Sequence, residues 1–153
     1  ISLTNYAGNS NRIVTAAIVD ISPVKGVRGE FYKDIKPISE RYMDFDFRKL
    51  PEWADIFSPH CKFMRLHKQT EQIMYVQLLE EYLQVYVNAV SKAEKCMDID
   101  ATYDRYQDQV YYCQQQKQNK KTEAVLGSWF DPTWAKHYID NVLFDKPKPF
   151  INL

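Results

Sequence analysis

The chain has 153 residues, of which 45% are hydrophobic and 26% charged, and this balance is typical of a folded globular protein. Its 20 basic and 20 acidic residues give a formal net charge of zero, which argues against a general binding surface for nucleic acid or for an anionic membrane. No apolar run approaches the roughly 20 residues of a membrane-spanning helix, and three widely spaced cysteines predict free thiols.

The first half of the chain predicts two strands. Residues 12–24 are apolar and rich in β-branched side chains up to a Ser-Pro pair, which is typical of a buried strand with a proline at its exit. Residues 26–35 contain two glycines and predict a turn region, and residues 37–47 predict a short helix and a connection. One or two helical turns are expected after Pro51, which is favoured in a first turn. Residues 61–67 form the second predicted strand.

The second half of the chain predicts helices. Apolar residues recur at intervals of three and four between residues 70 and 90, which indicates an amphipathic helix with one buried face. A second long helix is predicted over residues 97–118, with Asp98 or Asp100 as its N-cap. The predicted buried face of the first of these helices consists of Ile73, Val76, Leu79, Leu83, Tyr86 and Val90.

Two shorter helices complete the predicted order. Residues 121–130 predict a helix that stops near Gly127. The last helix has Asp131 as its N-cap and Pro132 at its first position, both of which are favoured there, and it ends at a Lys-Pro pair. Strands followed by a run of helices predict the α+β class, and because two strands are too few for a stable sheet, further strands are expected to complete it. The predicted inner face of the last helix consists of Trp134, Tyr138, Ile139 and Val142.

Common catalytic and metal-binding signatures do not occur in the sequence. It contains no phosphate-binding glycine loop, no G-x-S-x-G, no HExxH and no paired-cysteine motif. The cysteines and histidines are not spaced as metal ligands, so no metal site is predicted. They are Cys61, Cys96, Cys113, His60, His67 and His137.

Four blocks of sequence carry a family resemblance. In chain order they are AAIVDISPV, LPEWADIFSPHCKFMR, YCQQQKQNKKTEAVL and WAKHYIDNVLFD, and they span about residues 12–145. Together they resemble the ferredoxin-dependent bilin reductases. The resemblance implies an α/β/α sandwich with a central antiparallel sheet. Under this resemblance, residues 1–153 are expected to form a single, N-terminally incomplete domain that holds the C-terminal portion of that sandwich, with few strands and three or four C-terminal helices.

The resemblance also implies an activity. Members of the family reduce biliverdin, an open-chain tetrapyrrole, with single electrons from a [2Fe–2S] ferredoxin and without a tightly bound cofactor of their own. Ferredoxin is therefore an expected partner and a bilin the expected ligand. The implied location is the stroma of a plastid or the cytoplasm of a cyanobacterium.

The resemblance further implies which residues bind the bilin. Asn119 matches a pocket asparagine near the polar pyrrolic edge, and Lys121 matches a lysine that pairs with a propionate. Arg48, before the LPEW block, matches the partner of the second propionate, and an arginine can bind a carboxylate through two parallel hydrogen bonds. Lys117 and Lys120 are predicted to face water instead. The remaining implied pocket residues are Tyr112, Thr122, Val125, Leu143 and Phe144.

The chain departs from the family pattern at the catalytic positions. The family's proton-donating aspartate projects onto residues 4–6, yet residues 1–19 contain no Asp or Glu, and the family's histidine has no counterpart. Two hypotheses stay open: an N-terminally incomplete bilin reductase, or a catalytically inactive subunit of a larger photosynthetic complex such as a photosystem. No catalytic residue is assigned, and these 153 residues alone are expected not to reduce biliverdin, because no matched residue is a suitable proton donor.

Overall fold

The computed structural model describes residues 13–22 and 28–148, and these form two compact units. Strands and helices are both present, with an antiparallel sheet in the first unit, so the predicted α+β class is confirmed. The first unit comprises residues 13–22, 28–51 and 57–94, and the second comprises residues 52–56 and 95–148.

A three-stranded antiparallel sheet organises the described part of the first unit. Its strands are β1 (Val14–Val19), β2 (Asp46–Phe47) and β3 (Lys62–Leu66), and β3 lies between the other two. The predicted strands over residues 12–24 and 61–67 are confirmed, although both are shorter than predicted. β2 was not predicted, because two residues are too few to show an alternating pattern.

Two helices enclose the core of the first unit with the sheet. They are α1 (Arg28–Arg41) and α2 (Gln69–Lys92), which pack against each other, and α2 also contacts β3. Burial of apolar side chains from both helices and the sheet is the main favourable contribution to this packing. The core side chains are Val14, Ala17, Val19, Phe31, Ile35, Phe45, Met64, Leu66, Tyr75, Leu78 and Tyr82.

Helix α1 covers residues 28–35 of the predicted turn region, so the turn prediction is wrong, and it continues into the short helix predicted within residues 37–47. Gly29 and Pro37 both disfavour a helix interior, since glycine loses more backbone entropy and proline lacks the N–H group. Phe31 and Ile35 lie one turn apart and are both buried in the core. Burial of this pair outweighs the local preferences of the two helix-disfavouring residues.

Helix α2 is confirmed, but it buries a different face from the predicted one. The buried residues are Tyr75, Leu78 and Tyr82. The two tyrosines enter the core because their hydroxyl groups donate hydrogen bonds to the carbonyls of Ile18 (2.7 Å) and His60 (2.8 Å), so burial leaves no polar atom unsatisfied. Of the predicted face, Leu79 is half-buried, and the exposed members are Ile73, Val76, Leu83, Tyr86 and Val90.

The second unit contains the C-terminal helices. Asp98 caps α3 by accepting a hydrogen bond from the Ala101 N–H, and Asp131 caps α5 by accepting from the N–H groups of Thr133 and Trp134, so both predicted caps are confirmed. Helix α4 passes through Gly127, where a stop was predicted. The helices are α3 (Ile99–Gln116), α4 (Lys120–Trp129), α5 (Pro132–Tyr138) and a π-helical continuation of α5 (Ile139–Leu143).

The inner face of the last helix differs in part from the predicted one. Ile139 is buried as predicted, but Trp134 and Val142 are exposed. Trp134 instead packs against the tilted ring of Phe130 and stacks on Tyr138, with ring centroids 4.3 Å and 4.9 Å apart. The aromatic rings therefore pack on one another along the surface of the unit.

Within residues 13–22 and 28–148, no helix has the length and apolar character needed to cross a membrane. In the same described ranges, no group of three or more His, Cys, Asp or Glu side chains is arranged to hold a metal ion.

Candidate functional site

One face of the sheet turns away from the core of the first unit. Side chains alternate along β3, so Phe63 and Arg65 lie on the opposite face from the fully buried Met64. Ile18 of β1 is paired with Phe63, and Asp46 of β2 is paired with Arg65, which places these partners on the same face. We refer to Ile18, Asp46, Arg48, Phe63 and Arg65 as the outer sheet face.

Arg48 is fixed on the outer sheet face by three contacts. Its backbone N–H donates to the carbonyl of Phe63 (2.7 Å), and its Nη1 donates to the carbonyl of Thr15 (3.0 Å). Its guanidinium carbon lies 4.8 Å from the centroid of the Phe63 ring, within the range of a cation–π contact. A guanidinium carries five N–H donors, so the bond to Thr15 leaves most of them unused by the described residues and able to bind a carboxylate.

A second charged cluster adjoins Arg48 on the same face. The Nε2 atom of His67 lies 2.9 Å from Oδ2 of Asp46, and Nη1 of Arg65 lies 3.8 Å from the same oxygen. The hydrogen bond with His67 lowers the pKa of Asp46, and the positive charges of Arg65, His67 and Arg48 lower it further. Asp46 is therefore an ionised carboxylate beside the guanidinium group of Arg65.

Phe63, Thr15 and Arg65 were not among the predicted site residues. The alternation of Lys62, Phe63, Met64, Arg65 and Leu66 along β3 is a signal that could have shown which of them leave the core. The pairing of β3 with β1 and β2 is not visible in the sequence, and that pairing brings Thr15 and Arg48 together.

The other predicted site residues belong to the second unit, and two of them form the beginning of α4. Asn119 is the N-cap, and its Oδ1 accepts a hydrogen bond from the backbone N–H of Thr122 (3.3 Å). Both residues are half-buried. Capping explains the preference for asparagine at this position without a ligand, since it satisfies one of the unpaired N–H groups of the first turn.

The lysines around this cap have different surroundings. Lys121 is exposed and forms no hydrogen bond or ion pair with the described residues, and Val125, one turn further, is also exposed. Lys120 pairs with Glu123 (2.8 Å) and faces water as predicted. Lys117 is half-buried, and its Nζ donates to the carbonyl of Asp140 (3.0 Å), so the prediction of a fully solvated position was wrong for Lys117.

The remaining predicted residues lie on α3 and at the end of the last helix. The hydroxyl of Tyr112 accepts a hydrogen bond from Nε2 of Gln116 (2.9 Å). The N–H of Phe144 donates to the carbonyl of Ile139 (3.1 Å), a π-helical bond that ends the helix with Leu143 exposed and Phe144 half-buried. Single π-helical turns are often found at functional sites, because the extra residue redirects the side chains that follow.

The second unit also contains an open depression of about 520 Å³. None of the predicted bilin residues lines it, and its wall includes the ion pair between Lys136 and Asp140 (3.2 Å). The depression is therefore not the predicted pocket. Its lining residues are Glu123, Pro132, Thr133, Lys136, His137 and Asp140.

Comparison with known proteins identifies the family. The sequence model of the family described as ferredoxin-dependent bilin reductase matches residues 6–145. A phycocyanobilin:ferredoxin oxidoreductase of Gloeobacter violaceus is 39% identical over 141 residues, which are 91% of this chain and 55% of that protein. One of Prochlorococcus marinus is 37% identical over 146 residues, with 92% and 57% covered. One of a Synechococcus strain is 39% identical over 136 residues, with 88% and 55% covered.

These relatives come from cyanobacteria, and the chain spans about half of their length. The family match covers all four sequence blocks on which the resemblance was based. The chain belongs to the ferredoxin-dependent bilin reductase family.

Proposed function

We propose that this chain binds an open-chain tetrapyrrole of the biliverdin class and acts in its ferredoxin-dependent reduction. Family membership supports the ligand class and the electron donor. The observation that carries the proposal is the position of Arg48, which Thr15 and Phe63 hold on the accessible outer sheet face, and most of whose donors form no hydrogen bond within the described part of the chain.

The outer sheet face matches the chemistry of such a ligand. A bilin consists of apolar, conjugated rings and carries two propionate carboxylates. Phe63 and Ile18 offer apolar surface to the rings, and Ile18 is 40% exposed. Arg48 offers a planar cation to one propionate, and arginine binds carboxylates bidentately more readily than lysine does.

The family resemblance implies the other contacts of this proposal. In this proposal the exposed ammonium of Lys121 binds the second propionate, and the amide of Asn119 faces the polar edge of the pyrroles. The apolar and aromatic groups that cover the ring system are Tyr112, Thr122, Val125, Leu143 and Phe144. The protein binds and orients the ligand, and ferredoxin supplies electrons one at a time.

A second candidate function is a bilin-binding or structural role without catalysis, as a subunit of a larger photosynthetic complex. The absence of any Asp or Glu from residues 1–19 favours it, because the family's aspartate projects onto residues 4–6, which lie outside the described residues. Reduction of a bilin consumes protons, and a general acid is needed within hydrogen-bond reach of the protonated atom.

Two measurements on the full chain separate these candidates. Titration with biliverdin should shift and sharpen the visible absorption bands, and Arg48→Met should weaken binding about 10-fold, the usual effect of losing a charge-assisted hydrogen bond. Arg41→Met is the matched control, because Arg41 pairs with Glu81 of α2 rather than with the outer sheet face. An unchanged spectrum at high protein excess would contradict the reductase and any bilin-binding role, and would leave only the structural role.

An anaerobic assay with reduced ferredoxin then decides about catalysis. Formation of a reduced bilin above the protein-free rate supports the reductase and contradicts the expectation that these 153 residues alone are inactive. Binding of biliverdin without turnover supports the non-catalytic candidate for this chain.

A further inference from the structure

We infer that Arg65 is a second carboxylate-binding residue, which shares with Arg48 the propionate bound at the outer sheet face, and that Asp46 competes with that propionate. The inference rests on the proposed function, since it deepens the account of the same site. The occupant is an open-chain tetrapyrrole that carries ionised propionates.

Arg48 and Arg65 lie in neighbouring rows of the sheet. Arg48 is opposite Phe63, Arg65 is opposite Asp46, and Phe63 precedes Arg65 by two residues on β3. Phe63 and Arg65 are separated by about 7 Å along β3, the length of two residues of a strand. The backbones of Arg48 and Arg65 are therefore close enough for both long side chains to reach one carboxylate. The charge of Arg48 also acts on Asp46, which agrees with this proximity.

The N–H donors of Arg65 form no hydrogen bond with the residues that the structure describes. Its described contact is with Oδ2 of Asp46 at 3.8 Å, which is beyond hydrogen-bond distance, and 49% of its side chain is exposed. Asp46 lies closer to His67, at 2.9 Å from Nε2. His67 therefore forms the hydrogen bond to the carboxylate of Asp46, and Arg65 forms an ion pair with it without a direct hydrogen bond.

Charge complementarity identifies the occupant of this face. Among the five residues of the outer sheet face, two arginines face the one carboxylate of Asp46, so these side chains together carry a net positive charge that an ionised propionate would neutralise. An ionised carboxylate has about four lone-pair sites and accepts hydrogen bonds from two guanidinium groups at once. Asp46 offers the same acceptor chemistry from within the protein, and its negative charge repels an incoming propionate.

The test compares biliverdin with biliverdin dimethyl ester, which keeps the ring system but has no ionised carboxylate. For biliverdin, Arg65→Met should raise Kd about 10-fold, and Asp46→Asn should lower it several-fold because the competing charge is removed. Neither substitution should change Kd for the ester. Arg41→Met, which removes an exposed arginine away from this face, should leave both values unchanged.

Each outcome decides the inference. The inference is supported if Arg65→Met loses affinity for biliverdin but not for the ester, and if Asp46→Asn gains affinity for biliverdin. That gain should disappear when Asp46→Asn and Arg65→Met are combined in one protein. Equal losses of affinity for biliverdin and for the ester in Arg65→Met would show that Arg65 supports the fold and does not bind a carboxylate, and would overturn the inference. Wild-type binding that is unaffected by Arg65→Met would overturn this inference and leave the proposed function standing. Failure of the wild type to bind either ligand would overturn both.

Discussion

The predicted site residues differ in how many of their polar groups already form hydrogen bonds or ion pairs within the protein. Arg48 gives one N–H to Thr15, Asn119 gives its carbonyl oxygen to the first turn of α4, and Lys121 has no hydrogen bond or ion pair with the described residues. Because Lys121 forms no such contact with the described residues, its removal should affect ligand binding and leave the stability of the fold unchanged. The three residues therefore offer different combinations of structural and binding roles.

Substitution of Lys121 tests ligand binding separately from stability. Lys121→Met should weaken biliverdin binding several-fold, because a propionate loses its cationic partner, and should leave the thermal unfolding midpoint unchanged. Lys120→Met is the adjacent control, since Lys120 pairs with Glu123 at the surface. Equal affinities of Lys121→Met and wild type for biliverdin would show that Lys121 is a solvated surface residue with no role in binding.

The resemblance predicts which residues bind the bilin but does not predict what surrounds them. Arg48 could be named from the block that follows it, whereas Phe63 and Thr15, its actual contacts, lie 15 and 33 positions away. Those contacts depend on strand register, which one sequence does not reveal. Likewise, Lys117 could not be distinguished from Lys120 until its contact with Asp140 was seen.

Among the elements, helices with clear caps were predicted best. Asp98 and Asp131 begin α3 and α5 as expected, because a side-chain acceptor at the N-cap is a local signal. Helix α1 and the buried face of α2 were not predicted, because both are decided by packing against distant residues. Apolar side chains occur on several sides of α2, so periodicity alone did not single out the face that meets the core.

A matched pair of substitutions in α2 tests which face is buried. Leu78 is 0% exposed and Leu83 is 59% exposed. Leu78→Ala should lower the free energy of unfolding by about 2–5 kcal/mol, because it removes transfer free energy and leaves a cavity. Leu83→Ala should change it by less than about 0.5 kcal/mol. Denaturant titrations measure both free energies of unfolding. A larger loss of stability in Leu83→Ala than in Leu78→Ala would show that the face predicted from the sequence is the buried one.

At the scale of the molecule, the α+β class and the family were both predicted correctly. The class follows from the order of the patterns, and the family from four blocks spread along the chain. That residues 1–153 form a single domain stays a prediction, as does the N-terminally incomplete sandwich. These depend on packing between segments far apart in the sequence, which local patterns do not encode.

The core of the first unit should lose stability in alkaline solution. Burial raises the pKa of Tyr75 and of Tyr82 from 10.0 to about 12, and that of Cys61 from 9.0 to about 12. The unfolded chain releases these protons first, so the stability is fully present below the ordinary values and is lost as the pH rises through the folded ones. The free energy of unfolding should therefore fall between pH 9.0 and about 12.

Urea unfolding at several pH values measures this decline. Tyr75→Phe should make the decline shallower, because one group no longer ionises, although it also removes the hydrogen bond to Ile18. Tyr86→Phe is the control, since Tyr86 is exposed. A free energy of unfolding that does not change over this range would contradict the burial of these groups in the folded state.

The surface stack of Phe130, Trp134 and Tyr138 gives the second unit an optical signature. The rings of Trp134 and Tyr138 are nearly parallel, with 7° between their planes. Electronic transitions of rings held at this separation couple, and fixed aromatic packing is what near-ultraviolet circular dichroism detects. The C-terminal helices thus carry an intrinsic chromophore in the ultraviolet, and their folding is readable separately from the visible absorption of a bound bilin.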